Sequence, residues 1–273
     1  LIEAGAIVDK QGPDNATALM ASCIGGHDLC ARALIKAGAI VDKQGPENAT
    51  ALMAACEGGH ELCARALLEA GAQVDTAANN GATALILSAQ NGHELCARAM
   101  IEAGANIEAA DENGVTSLMQ ACDGGHEQCV RALIKAGAIV DKQGPENATA
   151  LMAACEGGHE LCARALLEAG AQVDTAANNG ATALILSAQN GHELCARAMI
   201  EAGANIEAAD ENGVTSLMQA CDGGHEQCVR AMIENGAAVD AIENKGWTAL
   251  MFSAQDGHEQ CARALIEAGV KST

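Results

Sequence analysis

The histidines of this chain recur at a fixed interval. Each lies 33 residues after the previous one, and the eight are His27, His60, His93, His126, His159, His192, His225 and His258. A constant interval of about 20–50 residues is typical of short structural units that stack in an array. The sequence therefore predicts a single array over residues 1–273, with a partial repeat over 1–11 and full repeats that begin at residues 12, 45, 78, 111, 144, 177, 210 and 243.

The repeat that begins at residue 78 shows how each unit is expected to fold. Asn80-Gly81 is a turn sequence, and Thr83 is placed to cap a helix over residues 84–90. A second helix is expected to open at His93, with an apolar face of Leu95, Cys96, Ala99, Met100 and Ala103. Helices this short are marginal alone, so packing against neighbouring repeats must bury their apolar faces.

Three short motifs of the repeat resemble the ankyrin-repeat family. They are Gly-His after the first helix, Thr-x-Leu ten residues before the His, and Gly-Ala before an extended hairpin. The family's Thr-Pro-Leu-His is replaced by Thr-Ala-Leu-Met at residues 50–53, Thr-Ala-Leu-Ile at 83–86 and Thr-Ser-Leu-Met at 116–119. The resemblance implies an all-α solenoid of stacked helix-turn-helix units with β-hairpin-like turns. A Pro at this position presets the first helical turn. Because this chain lacks the Pro, we expect a somewhat looser first helix.

The sequence also contains a longer repeat, which spans three of the 33-residue units. Residues 33–131 recur without a substitution as residues 132–230. Segments diversified for different contacts would not stay identical, so the copy indicates recent duplication or deliberate construction. We expect it to give two identical surfaces, offset by three repeats.

Charge and composition narrow the range of partners. The formal net charge of −21 opposes phosphate and anionic lipid, so we expect no nucleic acid and no membrane as partner. A partner steered by charge should be basic. No stretch reaches the roughly 18 apolar residues of a membrane span. Trp247 and Phe252 are the chain's only aromatic residues, which argues against a large aromatic-lined ligand pocket.

The thirteen cysteines also follow the repeat. Eight lie three residues after a His and five lie four residues before one, and Ala replaces the second group at Ala89, Ala188 and Ala254. Exchange with Ala is typical of a small buried residue and favours free thiols in a reducing intracellular compartment, the cytoplasm or nucleus. Short N-glycosylation acceptor patterns favour secretion instead, and they begin at Asn15, Asn48 and Asn147.

The pattern Cys-x3-His-x2-Cys occurs five times, as at Cys56, His60 and Cys63, and it contains natural zinc ligands. Three repeats lack the first Cys, and core packing explains the same positions, so we expect no metal and no cofactor. A catalytic Cys–His pair should be singular, whereas this pair is repeated eight times. The sequence therefore predicts no catalytic residue and no enzyme.

Charged trios such as Glu61, Arg65 and Glu69 mark the second helices. The four-residue spacing puts each trio on one helix face. The arginines, one in each repeat, could form a basic row that binds acidic ligands. However, the acidic residues beside them are more numerous. We therefore interpret the trios as a solvated convex face held by intrahelical pairs.

The resemblance implies that the turn tips and the first-helix face contact partners. The candidate partner-binding residues are Glu47, Glu57, Asn80, Gln90, Glu112, Asp123, Glu146, Glu156, Asn179, Gln189, Glu211, Asp222, Lys245, Trp247 and Asp256. Trp247 stands where other repeats carry Ala or Val, and it is either an exposed binding anchor or a lid over the last repeat. The acidic candidates serve either recognition or solubility alone.

The function implied by the resemblance is a protein-interaction scaffold. We expect a protein or peptide, basic in character, to bind the acidic concave face and the turn tips. Two alternatives stay open. The first is a structural spacer or an array that associates with itself end to end. The second is the targeting arm of a larger enzyme encoded upstream, since residues 1–5 copy the end of a repeat.

Overall fold

The computed structural model describes residues 6–12 and 14–269. The chain divides into two compact units, Leu1–Ile139 and Val140–Thr273. Regular secondary structure within the described residues is entirely helical, which confirms the all-α prediction. The predicted boundaries of a single eight-repeat array stay a prediction.

A seven-residue first helix alternates with a nine-residue second helix through the described residues. The first unit contains α1 (Ala18–Ile24), α2 (Asp28–Lys36), α3 (Ala51–Glu57), α4 (Glu61–Glu69), α5 (Ala84–Gln90), α6 (Glu94–Glu102), α7 (Ser117–Asp123) and α8 (Glu127–Lys135). The second unit contains α9 (Ala150–Glu156), α10 (Glu160–Glu168), α11 (Ala183–Gln189), α12 (Glu193–Glu201), α13 (Ser216–Asp222), α14 (Glu226–Glu234), α15 (Ala249–Gln255) and α16 (Glu259–Glu267). None of these described helices has the length and apolar character needed to span a bilayer.

Like helices pack on like helices inside each unit. In the first unit α1, α3, α5 and α7 pack in succession, as do α2, α4, α6 and α8, and each first helix also packs on its own second helix. The second unit repeats this pattern from α9 to α16. Isolated antiparallel bridges such as Ala77–Thr83 close hairpins before the first helices. The helix-turn-helix units with hairpin-like turns are therefore as the sequence predicts.

A threonine caps the N-terminus of every first helix described. Thr83 Oγ1 accepts a hydrogen bond from the Ile86 backbone N–H at 3.4 Å, and the other seven first helices have the same cap. The cap satisfies a backbone donor that has no partner inside the helix. Helix α5 occupies residues 84–90 as predicted and ends at Asn91, the C-cap.

The apolar face of the second helix is partly wrong in the sequence prediction. In α6 the buried residues are Cys96, Ala97, Ala99 and Met100, whereas Leu95 is 55% exposed and Ala103 is exposed. Leu95 lies one residue, or about 100° of helix rotation, before Cys96 and so falls outside the packed stripe. Ala103 is the C-cap and lies past the packed part of the helix.

Cysteines fill the space between consecutive repeats. The interaction between the thiols of Cys56 and Cys96, together with burial, raises the pKa of Cys56 well above its ordinary value, and the same interaction lowers the pKa of Cys96. Burial likewise raises the pKa of Cys23 to about 12. Twelve of the thirteen cysteines are buried, as predicted, but Cys30 is exposed. The prediction that the cysteines are buried is wrong for Cys30. Since α1 is the first described helix, no earlier cysteine packs on Cys30.

Periodic histidines join a repeat to the one before it within each unit. His93 Nε2 donates to the Glu57 carbonyl oxygen at 2.9 Å, since a carbonyl only accepts, and His60 and His126 make the same bond to Ile24 and Gln90. A Cβ on Gly59 would lie 2.5 Å from His93 Nδ1, and Gly59 has a φ of +72°. The Gly-His motif therefore fits the ring against a glycine that no other residue can replace without strain.

Carboxylates form a second connection between repeats. Asp42 Oδ1 accepts from the Gln73 backbone N–H at 3.0 Å, and Asp75 Oδ1 accepts from Asn106 at 2.8 Å. The second unit has equivalent bonds, for example from Gln172 to Asp141. Part of the chain's acidity therefore satisfies backbone donors at the next repeat.

The charged trios are not wholly intrahelical, which corrects the sequence interpretation. Arg65 pairs with Glu61 of its own helix at 2.7 Å, but its second partner is Glu102 of the next repeat at 2.9 Å rather than Glu69. Glu69 instead accepts from Arg32 of the preceding repeat at 2.8 Å. The four-residue rule finds only the pair within the helix, because the other partner lies 37 residues away.

Candidate functional site

The predicted partner-binding residues are nearly all exposed. Trp247 alone among the fifteen is partly buried, and the other fourteen are exposed. Exposure by itself is expected of polar residues, so the informative question is which of them share a surface.

Three of the candidates lie together in the first unit. Glu47, Glu57 and Asn80 line a groove of about 340 Å³ that spans three consecutive hairpins and the helices behind them. We call it the hairpin groove, and its lining is Ala16, Met20, Ile24, Pro46, Glu47, Ala49, Thr50, Met53, Ala54, Glu57, Ala78, Asn80, Ala82 and Leu87. The groove therefore combines an apolar floor with two carboxylates and an amide.

The hairpin tips that bound this groove are held firmly. The Glu47 carbonyl oxygen accepts from the Asn79 backbone N–H at 2.9 Å, and Asn48 Nδ2 donates to Asn79 Oδ1 at 2.6 Å. Glu47 and Asn48 both have left-handed backbone, with φ of +53° and +60°. That conformation is unfavourable for Glu, so the neighbouring hairpin must hold it in place.

The remaining first-unit candidates flank the groove without lining it. Glu112 continues the line of tips, because its backbone N–H donates to the Asn80 carbonyl oxygen at 2.9 Å. Gln90 and Asp123 are the last residues of α5 and α7. Both are exposed at the same helix end as Glu57.

The second unit repeats these local contacts. Glu146 accepts from Asn178, and the backbone N–H of Glu211 donates to Asn179, each at 2.9 Å. The carbonyls of the remaining candidates at the helix ends accept from histidines at 2.9 to 3.0 Å, and these candidates are Glu156, Gln189 and Asp222. The duplicated sequence thus gives the same positions the same backbone partners.

A second concavity in the same unit contains both aromatic rings of the chain. It measures about 460 Å³, and we call it the tryptophan pocket, lined by Asp210, Asn212, Val214, Gln219, Glu243, Lys245, Trp247, Phe252 and Gln255. The ring centroids of Trp247 and Phe252 are 5.4 Å apart, with the rings tilted by 50°. Two of its nine lining residues are therefore aromatic, so this open concavity is not the large aromatic-lined pocket against which the composition argues.

Sequence reasoning found only part of this pocket. It named Lys245 and Trp247, and it named Asp256, which is the C-cap of α15 and does not line the pocket. Gln255 occupies the position in its repeat that Gln90 occupies in an earlier one, and it lines the pocket. Alignment of the repeats is therefore the signal that could have identified Gln255. Phe252 gave no such signal, because its repeat position carries Leu87, Ala54 or Gln120 elsewhere.

The Cys-x3-His-x2-Cys pattern is accounted for by packing contacts. His60 Nε2 donates a hydrogen bond to the Ile24 carbonyl oxygen at 3.0 Å, and the Cys56 thiol interacts with the thiol of Cys96. Across residues 6–12 and 14–269, no group of three or more His, Cys, Asp or Glu side chains is placed to hold a metal ion.

Comparison with known proteins identifies the family. A family model described as Ankyrin repeats (3 copies) matches residues 1–78, 74–144, 136–210 and 206–273. The chain belongs to the ankyrin-repeat family. Ankyrin repeats generally mediate protein–protein interactions. A comparison with curated proteins finds no match to this ankyrin chain.

Proposed function

We propose that this ankyrin-repeat chain is a protein-interaction scaffold that holds a basic segment of a partner protein in the hairpin groove. The observation that supports this most is the lining of that groove, where Met20, Ile24 and Leu87 lie beside Glu47 and Glu57. An apolar floor gives contact area, and flanking carboxylates select positive charge.

The charge of the whole molecule favours the same class of partner. A net charge of −21 gives a field that attracts basic proteins and raises their association rate, and it repels nucleic acid and anionic lipid. The field acts over about 8 Å at physiological salt, so it steers a partner to the surface rather than fixing its pose. Direct contacts in the hairpin groove would then decide specificity.

The proposed mechanism is presentation of side chains without chemistry. A raised pKa, about 12 for Cys23, keeps that buried thiol protonated and poorly nucleophilic, whereas the neighbouring thiol of Cys56 lowers the pKa of Cys96. Hydrogen bonds to the preceding repeat occupy Nε2 of histidines such as His93. Thirteen free thiols also favour a reducing intracellular compartment as the place where this scaffold works.

The experiment begins with a random-peptide display library selected on the wild-type chain. We expect the selected peptides to carry net positive charge. The variant Glu47→Lys/Glu57→Lys should weaken their binding by about tenfold or more, since each reversal replaces attraction by repulsion at the groove.

The matched control is Asp28→Lys/Asp240→Lys, which changes the net charge equally outside the hairpin groove. It should change affinity by no more than about threefold at physiological salt, because distant charges are screened. Equal losses in the two variants would contradict a role for the groove.

A second candidate function, end-to-end self-association, is favoured by one observation. Met251 is 51% exposed, whereas Met218, at the same repeat position, is 1% exposed. An exposed apolar side chain at this position can pack against a further repeat, and a second copy of the chain could supply one. Sedimentation velocity over a hundredfold range of concentration tests it, and a constant monomer mass would contradict it.

A further inference from the structure

The tryptophan pocket breaks the repetition of the chain. Its Trp247 and Phe252 are the only Trp and Phe of the protein, and they contact one another across a hairpin and a first helix. The repeat position of Trp247 carries the small buried residues Ala82 and Ala181 elsewhere. Packing of an internal repeat therefore does not require a ring at either position, and the two rings distinguish this concavity from the other hairpins.

Two carboxylates lie in the same pocket. Glu243 is only 6% exposed, and its Oε1 accepts from the Trp247 backbone N–H at 3.0 Å. Asp210 Oδ1 accepts from the backbone N–H groups of Asn212 and Val214 at 2.8 and 2.9 Å. These bonds fix both carboxylates and use one oxygen of each, so the second oxygens can accept from a ligand.

We propose that the tryptophan pocket binds an arginine side chain of the partner protein. Ring faces attract a cation, and carboxylates accept its N–H groups. A guanidinium does both at once, because it is planar and carries five donors in a fixed fork. The inference rests on the proposed scaffold function and adds a specific ligand group at a second place on the chain.

Other occupants fit this lining less well. An apolar side chain would remove water from Asp210 and Glu243 without replacing their hydrogen bonds, which is unfavourable. A lysine ammonium is a compact, strongly hydrated charge that cannot stack on a ring as a plane. Citrulline keeps the shape of arginine and lacks its charge. A comparison of the two side chains therefore shows whether the pocket recognises the charge or only the shape.

Lys245 is the one cation that lines the pocket, and it opposes the proposed ligand. Its repeat position carries Glu47 and Asn80 in other hairpins, so the fold does not require a cation there. Replacing it with a neutral residue should strengthen arginine binding. A structural account of the pocket predicts no such gain.

The position of Trp247 supplies the assay. It is the only Trp of the chain, so its fluorescence reports on this pocket alone. The probe is the peptide acetyl-Gly-Arg-Gly-amide, for which a Kd on the order of 1 mM is expected from one anchored side chain. The matching lysine peptide should bind about threefold or more weakly, and the citrulline peptide about tenfold or more weakly.

The duplicated sequence provides a matched pair of variants. Asp111 and Asp210 occupy the same position in identical segments, and Asp111 likewise accepts from the backbone N–H groups of Asn113 and Val115. Asp210→Ala should weaken the arginine peptide by about tenfold, Asp111→Ala by less than twofold, and Lys245→Gln should strengthen it by about twofold to threefold. Phe252→Leu, which installs the residue found at Leu87, should weaken binding by about threefold.

Three results would overturn the proposal. They are citrulline binding as tight as arginine binding, equal losses for Asp210→Ala and Asp111→Ala, and no saturable fluorescence change with the arginine peptide. If the probe fails while display-selected peptides still depend on Glu47 and Glu57, the arginine site is wrong and the scaffold proposal stands. Circular dichroism of each variant shows whether it remains folded.

Discussion

His93 Nε2 donates a hydrogen bond to the carbonyl oxygen of Glu57, the last residue of the preceding first helix, at 2.9 Å. The bond gives a partner to a carbonyl at a helix end, where no intrahelical donor is available. It also explains why the histidines keep a strict interval, since each ring must reach back across one repeat. The periodic histidine is therefore a connector between repeats as well as the residue before the second helix.

Removing this connector should destabilise the array. We expect His93→Ala to lower the free energy of unfolding by about 1–2 kcal/mol, because the Glu57 carbonyl loses its partner and Gly59 loses the ring packed on it. Urea denaturation followed by circular dichroism measures the effect. His27→Ala is the control, since α2 has no described repeat before it, and its effect should be within about 0.5 kcal/mol. Equal losses in both variants would contradict the connector role.

The single exposed cysteine should react first with thiol reagents. Cys30 is exposed, whereas Cys63, at the same repeat position, is buried. In the native chain a disulfide-exchange reagent should label about one thiol quickly and the rest only with local or global opening. The variant Cys30→Ala should abolish the fast phase, and a fast phase that survives this change would show that buried thiols are accessible.

Alkaline pH should weaken the fold through buried thiols whose pKa is raised, of which Cys23 is one. Burial raises the pKa of Cys23 from 9.0 to about 12, so between these values the unfolded chain loses this proton while the folded chain keeps it. The free energy of unfolding should therefore fall as pH rises from about 9 toward 12, by on the order of 1 kcal/mol per pH unit for such a thiol.

The comparison of wild type with Cys23→Ala isolates this effect. Alanine already occupies the same repeat position at Ala89, so the fold tolerates it. Urea titrations at about pH 8 and about pH 10 should show a smaller pH-dependent loss in the variant. Equal losses in the two proteins would contradict the raised pKa.

One position interrupts the charge pairs between second helices. Arg98 pairs with Glu94 at 2.7 Å, and the next repeat presents Lys135 where its neighbours present Glu69 or Glu102. Lys135→Glu should create an Arg98 pair and stabilise the first unit by about 0.5 kcal/mol relative to Lys36→Glu, a matched change in the last turn of α2. Thermal denaturation at low and high salt measures the difference, which should vanish in high salt. A difference that persists in high salt would rule out an ion pair as its cause.

Local features of the repeat were predictable from the sequence, whereas contacts between repeats were not. The Thr83 cap and the extent of α5 follow from neighbours within the same turn, and both were predicted. The exposure of Leu95 and the true partner of Glu69 depend on the adjacent repeat, and both predictions were wrong. Phe252 and Glu243 belong to a pocket only because two hairpins and two helices converge, which no single repeat displays.

Hydrogen–deuterium exchange of the chain with a display-selected basic peptide tests the central proposal most directly. We expect added protection of backbone amides over residues 47–57 and 78–87, which bound the hairpin groove, and little change in the nearby second helices α2 and α4. Protection confined to the second helices, with none in the groove, would contradict it.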